Sequence, residues 1–339
     1  MKTYEIGDQQ GIDSLKIVER PDPVPGPDEV LIRVVAAGLN YRDLMVLNAQ
    51  YGASNPANRV PLSDGVGVIE QLGQDVVGIA VGTRVIAPHF MGWESGRFSM
   101  AQFGADLGVT KDGWLSEKIV LPASCIIPVP PEVSDETAAT LAVAGATVWH
   151  AMMAFGQADV GDLVLAQGTG GVALFALQLA KATGIDFAIT SSSDEKLEFC
   201  KSLGADFTIN YRTRPDWPEA LLEASGGRGA NVVVDTLGFP SLGQTIAATA
   251  VEGRIGTLGA LSGTPSDQTT ANQGIMIAKN ITIKGIASGS RAMLLQALDM
   301  AAAHNIEMVV DKIFAFDDAA SAYEHLKSGA HIGKVLIQV

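Results

Sequence analysis

The chain has 339 residues, of which 47% are hydrophobic and 18% charged, so we expect it to be mostly ordered and to form about two domains. Its 23 Lys and Arg against 37 Asp and Glu give a net charge of −14, which argues against nucleic-acid binding. Two cysteines are too few for a disulfide framework or a four-cysteine metal site. The 37 glycines make up about 11% of the chain, above the average share of about 7%.

The sequence shows no sign of targeting or membrane insertion. Its first eight residues are polar and lack the apolar core of a signal peptide. Residues 137–158 and 163–180 are uncharged for long enough to resemble membrane spans, but polar residues and glycines interrupt both, which favours a buried core. We therefore expect a cytoplasmic protein with no membrane partner.

Residues 1–131 are predicted to be rich in short strands. Apolar segments alternate with turns rich in proline or glycine, a pattern typical of a compact β-barrel or sandwich. Residues 88–116 lack clear periodicity and are predicted to form a long loop or lobe. The predicted strands are 30–37, 65–70, 83–87 and 114–120.

From Ser134, a plausible helix cap, strands and helices alternate. Short apolar strands with helices between them predict an α/β fold with a doubly wound, parallel six-stranded sheet. After it, helices at 292–303 and 317–327 precede a last strand at 334–339 that can return to the first domain. The predicted sheet strands are 163–166, 187–190, 206–210, 231–234, 254–258 and 281–286, with helices at 172–183 and 193–203 closed by Gly184 and Gly204.

A glycine-rich turn is the strongest local motif, because it follows an apolar strand and opens an amphipathic helix. The first glycine permits a tight turn, and the second lets the backbone approach a pyrophosphate. The free N–H groups of the helix N-terminus then face the phosphates. We therefore predict a dinucleotide site. Its residues are Gly168, Thr169, Gly170, Gly171, Val172 and Ala173.

The end of the next strand favours NADP(H) over NAD(H). NAD sites place an acidic residue about 20 residues after the turn, to bind the ribose 2′-hydroxyl. Here the position just beyond the strand is Ser191, followed by Ser192, Ser193 and the cation of Lys196, which together suit a 2′-phosphate. Ser193 is equally suited to cap the following helix, and Lys196 to be a solvated charge. Tyr211, with Arg212, follows the third strand and is a further candidate contact to the cofactor.

The whole chain resembles the medium-chain dehydrogenase/reductase superfamily. The resemblance rests on a β-rich domain, the turn at 168–173 in a Rossmann-like domain, and a tail ending in the segment 333–337. It implies a GroES-like catalytic domain formed by 1–131 and 290–339 and a Rossmann domain at 132–289. It also implies that the cofactor lies in the cleft between these domains.

In the zinc alcohol dehydrogenases of this superfamily, a Cys, a His and a Cys or Asp bind the catalytic metal. The matching positions here are Asn40, Ser63 and Val143, which do not make a competent zinc site. Residues 88–116 also lack the four cysteines of the structural zinc lobe. We therefore expect no metal.

The segments 40–43 and 50–52 are similar to zinc-free quinone oxidoreductases and enoyl reductases. That resemblance implies that Asn40 lies by the nicotinamide and that Tyr51 is a proton donor near the substrate. Asn40 also suits a helix N-cap supported by Asp43, and Tyr51 suits a packed loop aromatic. The candidate catalytic residues are Asn40, Tyr51 and Asp43.

The remaining candidate cofactor contacts are Thr147, Gly259, Ser288 and Lys334. Thr147 and Lys334 follow from the resemblance, which places them at the nicotinamide and the pyrophosphate, although Lys334 equally suits a surface position. Gly259 and Ser288 follow the fifth and sixth sheet strands, at the carboxyl edge where ligands bind. The segment 259–262 belongs to this edge.

The predicted function is hydride transfer from NADPH to a quinone or an activated enone, without zinc. An acyl-thioester enoyl reductase, an alcohol or aldehyde oxidoreductase and a non-catalytic NADPH-binding protein remain as alternatives. In the family the sixth strand pairs across a two-fold axis, so the strand at 281–286 predicts a homodimer. The substrate is expected to be a small molecule shaped by 88–116 and 262–277.

Overall fold

A computed structural model describes residues 1–52, 55–259 and 271–339, which divide into two compact units. The first unit comprises Met1–Ala146 and Ser290–Val339, and the second comprises Thr147–Gly289. The first boundary therefore lies later than the predicted one at residue 131, because the short helix after Ser134 packs on the sheet of the first unit. Within the described ranges, no helix has both the length and the apolar character that a membrane span requires.

The described residues contain strands and helices in both units, and their order confirms the α/β class. The strands are β1 Lys2–Glu5, β2 Lys16–Glu19, β3 Glu29–Gly38, β4 Asp64–Leu72, β5 Arg84–Ile86, β6 Lys118–Pro122, β7 Ile127–Pro128, β8 Leu163–Gln167, β9 Asp186–Ser191, β10 Phe207–Asn210, β11 Ala230–Asp235, β12 Thr249–Thr257, β13 Thr282–Gly285, β14 Val310–Ala315 and β15 Lys334–Gln338. The α-helices are α1 Tyr41–Leu47, α2 Asp135–Ala138, α3 Ala146–Val148, α4 Gly171–Thr183, α5 Asp194–Ser202, α6 Trp217–Ala224, α7 Leu242–Ala248, α8 Gln273–Ala278, α9 Arg291–His304 and α10 Ala319–Ser328, with π-helical turns at Leu141–Gly145 and Trp149–Phe155.

The first unit is built on a seven-stranded sheet in the order β14-β15-β3-β4-β5-β7, with β6 also paired to β3. Strand β15 runs antiparallel to β3, with Ile337 opposite Ala37, so the last strand does return to the first domain. Strand β14 was not predicted, because its side chains are mostly exposed and give no apolar alternation. The β1–β2 pair was missed for the same reason, since β2 is largely exposed.

The segment 88–116, predicted to be a long loop or lobe, contains a short helix and a small aromatic core. A 3₁₀ helix spans Met100–Ala105, and aromatic rings pack around it with centroids 5.0–5.6 Å apart. The rings come from a loop, so they share a small core without a regular spacing in the sequence. They belong to Phe90, Trp93, Phe98 and Phe103.

The second unit is a parallel six-stranded sheet, as predicted, and its strand order is β10-β9-β8-β11-β12-β13. Every residue of β8 is buried, which explains its continuous apolar sequence. Helix α4 ends at Gly184 in the left-handed conformation, with φ 73°, and Ser134 caps α2 by accepting the Thr137 N–H. The strand order reverses beside β8, so its carboxyl end lies where such sheets bind ligands.

Candidate functional site

The turn after β8 leaves free space at both of its first two glycines. Gly168 has φ 78°, and its N–H donates to Thr190 O at 2.7 Å. Gly170 is the N-cap of α4 with ordinary dihedrals, φ −81° and ψ 176°. A Cβ built on either glycine meets no protein atom within 4 Å, so neither position needs glycine to avoid a protein neighbour. Thr169 is buried between them, and Gly171 and Val172 form the first turn of α4. This geometry fits a pyrophosphate at the helix N-terminus.

The carboxyl end of β9 brings together the residues predicted to recognise the ribose phosphate. Ser191 ends β9, its Oγ accepts the Ser193 N–H at 3.3 Å, and its carbonyl accepts the Tyr211 N–H at 3.1 Å. Ser193 caps α5 by accepting the Lys196 N–H at 3.4 Å. Ser192 lies between them and is half-buried. Hydroxyl and N–H groups therefore cluster at one sheet edge, and no carboxylate side chain stands at position 191.

Thr147 and Ser288 are in direct contact, although 141 residues separate them. The Thr147 hydroxyl donates to Ser288 Oγ at 3.2 Å, and both side chains are buried. His150, which the sequence analysis did not single out, lies with Nδ1 2.5 Å from Ser288 O and Nε2 2.9 Å from Lys284 Nζ. Burial and the neighbouring Lys284 lower the His150 pKa, so the ring is neutral and Nδ1 carries the proton. The imidazole thus fixes the backbone of Ser288.

Gly259 follows β12 and must be glycine for a packing reason. A Cβ there would overlap the Thr236 carbonyl oxygen. The Thr236 hydroxyl in turn donates to Gln167 O at 2.7 Å, which ties the ends of β11 and β8 together. Residues 260–262, expected at the same edge, and most of the predicted substrate segment 262–277 lie outside the described residues.

In the first unit, Lys334 forms the centre of a buried polar network. Its Nζ donates to Leu39 O at 2.7 Å, to Asn40 Oδ1 at 2.7 Å and to Asp64 Oδ2 at 3.2 Å. The side chain of Lys334 is 4% exposed and that of Asp64 is 0% exposed. Three partners use the three N–H donors of the ammonium group. Lys334 is therefore not the surface lysine that was one of the two expectations, and its three donors are engaged within the protein.

Asn40 joins this network to the start of α1. Its Nδ2 donates to Asp64 Oδ2 at 2.8 Å, and its backbone N–H donates to Asp43 Oδ2 at 2.7 Å. Burial raises the pKa of Asp43 to about 7, with a further increase from Asp64 and decreases from Arg42 and the Asn40 N–H. Asp43 thus supports the helix start that holds Asn40.

A second charged network contacts the ring of Tyr51 through Arg42. Arg42 Nη2 donates to both Asp106 oxygens, at 2.7 and 2.8 Å, and Arg42 Nη1 lies 2.7 Å from His89 Nδ1. Because guanidinium can only donate, Nδ1 accepts and the neutral imidazole carries its proton on Nε2. Burial and Arg42 lower the His89 pKa, consistent with that neutral form. The Arg42 guanidinium stacks over the half-buried Tyr51 ring, 4.6 Å from its centroid.

The positions that match zinc ligands do not fit zinc. The Asn40 amide is hydrogen-bonded through both Oδ1 and Nδ2, and the Ser63 hydroxyl donates to Leu107 O at 3.0 Å. Val143 has no side-chain donor atom, and its backbone N–H donates to Asp64 Oδ1 at 2.7 Å. Within the described ranges, no group of three His, Cys, Asp or Glu side chains is placed to hold a metal ion.

Two protein families match different regions of this chain. Residues 26–131 match the alcohol dehydrogenase GroES-like domain, and residues 171–303 match the zinc-binding dehydrogenase family. A zinc-type alcohol dehydrogenase-like protein of Schizosaccharomyces pombe is 39% identical over 99% of both chains. An acryloyl-coenzyme A reductase of Sulfurisphaera tokodaii is 30% identical over 98% of both.

Solved structures agree over the full length. The structure of an NAD-dependent alcohol dehydrogenase has a TM-score of 0.90 at 31% identity, covering 100% of both chains. A quinone oxidoreductase of Pseudomonas syringae has a TM-score of 0.82 at 27% identity, covering 100% of this chain and 99% of the other. A mycobacterial protein complexed with NADPH has a TM-score of 0.82 at 25% identity, covering 100% of both. The two domain matches and the full-length relatives show that this chain belongs to the medium-chain dehydrogenase/reductase superfamily of oxidoreductases.

Proposed function

We propose that this protein is an NADPH-dependent, zinc-independent reductase that transfers hydride to a quinone or an activated enone. The observation that carries the proposal is the chemistry at the three zinc-ligand positions. Asn40 and the Val143 N–H belong to the network centred on Lys334 and Asp64, and the Ser63 hydroxyl is hydrogen-bonded to Leu107 O. A simple ketone needs strong polarisation before it accepts hydride. A conjugated acceptor spreads the developing negative charge itself and needs only a hydrogen-bond or proton donor.

The proposal of NADPH rests on the edge formed by β9 and α5. Ser191 and Ser193 offer hydroxyls, and the first turn of α5 offers N–H groups, all suited to a 2′-phosphate. One structural relative is described as NAD-dependent and another as a complex with NADPH. The preference of this protein for NADPH over NADH therefore has to be tested at the residues of this edge. Ser191→Asp should weaken NADPH binding at least tenfold and weaken NADH binding far less.

Ser202→Asp is the matched control, because it adds the same charge at the exposed end of α5. It should leave both affinities within about twofold of wild type. Nucleotide fluorescence titrations at fixed ionic strength give all the values. Equal loss of NADPH and NADH in the Ser191 variant would contradict the assignment of the phosphate site.

The roles of the chain's own residues follow from the first unit. A bound reduced nicotinamide supplies the hydride. Asn40 keeps one free amide hydrogen and one carbonyl lone pair after bonding Asp64 and Lys334, so it can orient the nicotinamide amide or a substrate carbonyl. Burial raises the Tyr51 pKa above its ordinary value of 10, so the phenol is protonated at neutral pH and can donate its proton to the acceptor.

Reduction of an unsaturated acyl thioester is the second candidate function. It is favoured by the full-length similarity to the acryloyl-coenzyme A reductase of Sulfurisphaera tokodaii, since a conjugated thioester is also an activated acceptor. The two candidate functions share the Tyr51 donor and differ in the chain that the substrate carries beside its conjugated double bond. A coenzyme A thioester needs room for a long arm, which a small enone does not.

A turnover panel separates these functions. NADPH oxidation should be measured with quinones, enones, acryloyl-coenzyme A and simple aldehydes, and NADP⁺ reduction with a simple alcohol, each with and without a strong chelator. Chelator-resistant reduction of quinones or enones supports the first proposal, and preference for the thioester supports the second. Chelator-sensitive oxidation of a simple alcohol would overturn both. Saturable NADPH binding with no turnover on any acceptor would favour a non-catalytic NADPH-binding protein.

We also propose that the protein is a homodimer paired through β13. This strand lies at the end of the six-stranded sheet, its residues are largely exposed, and neighbouring Ile277 is 61% exposed. An unpaired edge of this kind favours strand pairing with a second copy. Ile283→Pro should halve the mass measured by light scattering at micromolar concentration, whereas a monomeric wild type would refute the proposal.

A further inference from the structure

Arg42 is the charged residue in contact with the ring of Tyr51. Its guanidinium lies 4.6 Å from the ring centroid, close enough for a cation–π interaction. Among the described residues, no hydrogen bond reaches the Tyr51 hydroxyl. The position of the phenol therefore depends on contacts to its ring, and the face occupied by Arg42 is one of them.

Arg42 is itself held by hydrogen bonds to Asp106 and a contact to His89. Asp106 accepts both of its Nη2 contacts and is 0% exposed, while the Arg42 side chain is 10% exposed. Burial alone would raise the Asp106 pKa, but the neighbouring His89 and Arg42, which donates to both carboxylate oxygens, outweigh it and hold that pKa below its usual range. His89 adds the contact to Nη1. A long, flexible side chain is thus fixed in one orientation at three points.

We propose that Arg42, clamped by Asp106 and His89, is a positioning residue that holds the Tyr51 ring and stabilises the phenolate formed when Tyr51 gives up its proton. This inference rests on the proposed reductase function and extends it to a residue that does not itself react. In the step, the Tyr51 O–H bond breaks as an O–H or C–H bond forms on the hydride acceptor. The negative charge left on Tyr51 lies beside Arg42, and water then returns the proton.

The charges around Tyr51 predict the direction in which its pKa should move when Arg42 is replaced. Burial raises the Tyr51 pKa most strongly, Arg42 lowers it, and Asp106 and Asp43 raise it. Loss of the Arg42 charge removes the one opposing effect. The Tyr51 pKa should then rise. Replacing Asp106 as well removes a smaller effect of opposite sign, so a variant that loses both charges should still show a rise, but a smaller one.

The test is a ¹³Cζ-tyrosine NMR titration of the full chain, with Tyr51 assigned from the signal missing in Tyr51→Phe. The double variant Arg42→Met/Asp106→Asn removes the cation without leaving a buried, unpaired carboxylate, and thermal melting checks its fold. Its Tyr51 titration should move upward. Arg42→Lys keeps the charge but loses the planar stacking, and should show a smaller shift.

Arg59→Lys is the matched control, because Arg59 also pairs with a carboxylate, Asp112 at 2.7 Å, in the same unit. It should leave the Tyr51 titration unchanged. An unchanged Tyr51 titration in a folded Arg42 double variant would overturn the proposal, with or without turnover. If turnover exists, kcat of the double variant should fall about 10- to 100-fold at neutral pH while NADPH affinity holds. A change in KM alone would also overturn it.

Discussion

Replacing Lys334 by Met should destabilise the first unit strongly, even though the substitution preserves an apolar chain of similar length. The ammonium is buried with Asp64, and it also supplies hydrogen bonds to Leu39 O and Asn40 Oδ1. Without it the Asp64 carboxylate stays buried with only the Asn40 and Val143 N–H donors. An uncompensated charge is the main cost.

The expected magnitude follows from this geometry. Breaking a buried ion pair by removing one partner costs about 3–5 kcal/mol. The hydrogen bonds lost at Leu39 and Asn40 belong to the same network, so their cost is not added separately. For a domain of this size, about 1 kcal/mol corresponds to about 2–4 °C in Tm. We therefore expect a Tm lower by about 6–20 °C.

The assay is thermal unfolding followed by circular dichroism, with urea unfolding as a second measure. Lys334→Met/Asp64→Asn removes both charges and should be more stable than Lys334→Met alone. Lys118→Met is the matched control, because Lys118 bridges Asp22 and Glu70 at the surface of the same unit and should change Tm far less. A Lys334→Met protein that melts within 2 °C of wild type, a threshold about one-third of the smallest expected fall, would refute the reasoning.

Three further predictions concern single residues. Gly170→Ala should cost at most about 1 kcal/mol of stability, because its Cβ meets no protein atom. It should weaken NADPH binding at least tenfold, because that Cβ enters the space that we propose for the pyrophosphate. Gly104→Ala, whose Cβ also meets no protein atom, is the control and should leave the Kd from fluorescence titration unchanged. Gly259→Ala should lower the free energy of unfolding by at least about 1–3 kcal/mol, since its Cβ overlaps Thr236 O; an unchanged urea midpoint would contradict this contact. Asp43 has a folded pKa of about 7, above its unfolded value near 4, so the folded state holds the proton more tightly and stability should decline as pH rises from about 4 to about 7. Asp43→Asn should remove that decline, and parallel pH profiles for both proteins would argue against a raised pKa.

Local patterns in the sequence were sufficient for most of the fold. The six strands of the parallel sheet were found because buried strands are continuously apolar, and their parallel arrangement followed from the alternation with helices. The caps at Ser134 and Gly184 were found because capping depends on residues within one turn. Exposed strands such as β2 and β14 carry no comparable pattern.

The candidate site was less accessible, because its contacts join distant parts of the chain. Arg42 meets His89 and Asp106 across 47 and 64 residues, and Lys334 meets Asp64 across 270. The local periodicity of the sequence does not indicate which distant residues will pair. The segment containing Asn40 and Asp43 was recognised as a unit, but the partners that fix Asn40 and bury Asp43 became apparent only in the folded chain.

The return of β15 to the first sheet has a consequence for the order in which the protein is made. Residues 147–289 leave the ribosome before residues 290–339, so the second unit can fold while the first still lacks β14 and β15. Until Lys334 arrives, Asp64 and Asn40 have no cation between them. Assembly of the polar centre is therefore a late step of biosynthesis, and a nascent chain stopped before β15 should bind nucleotide without completing the network around Asp64.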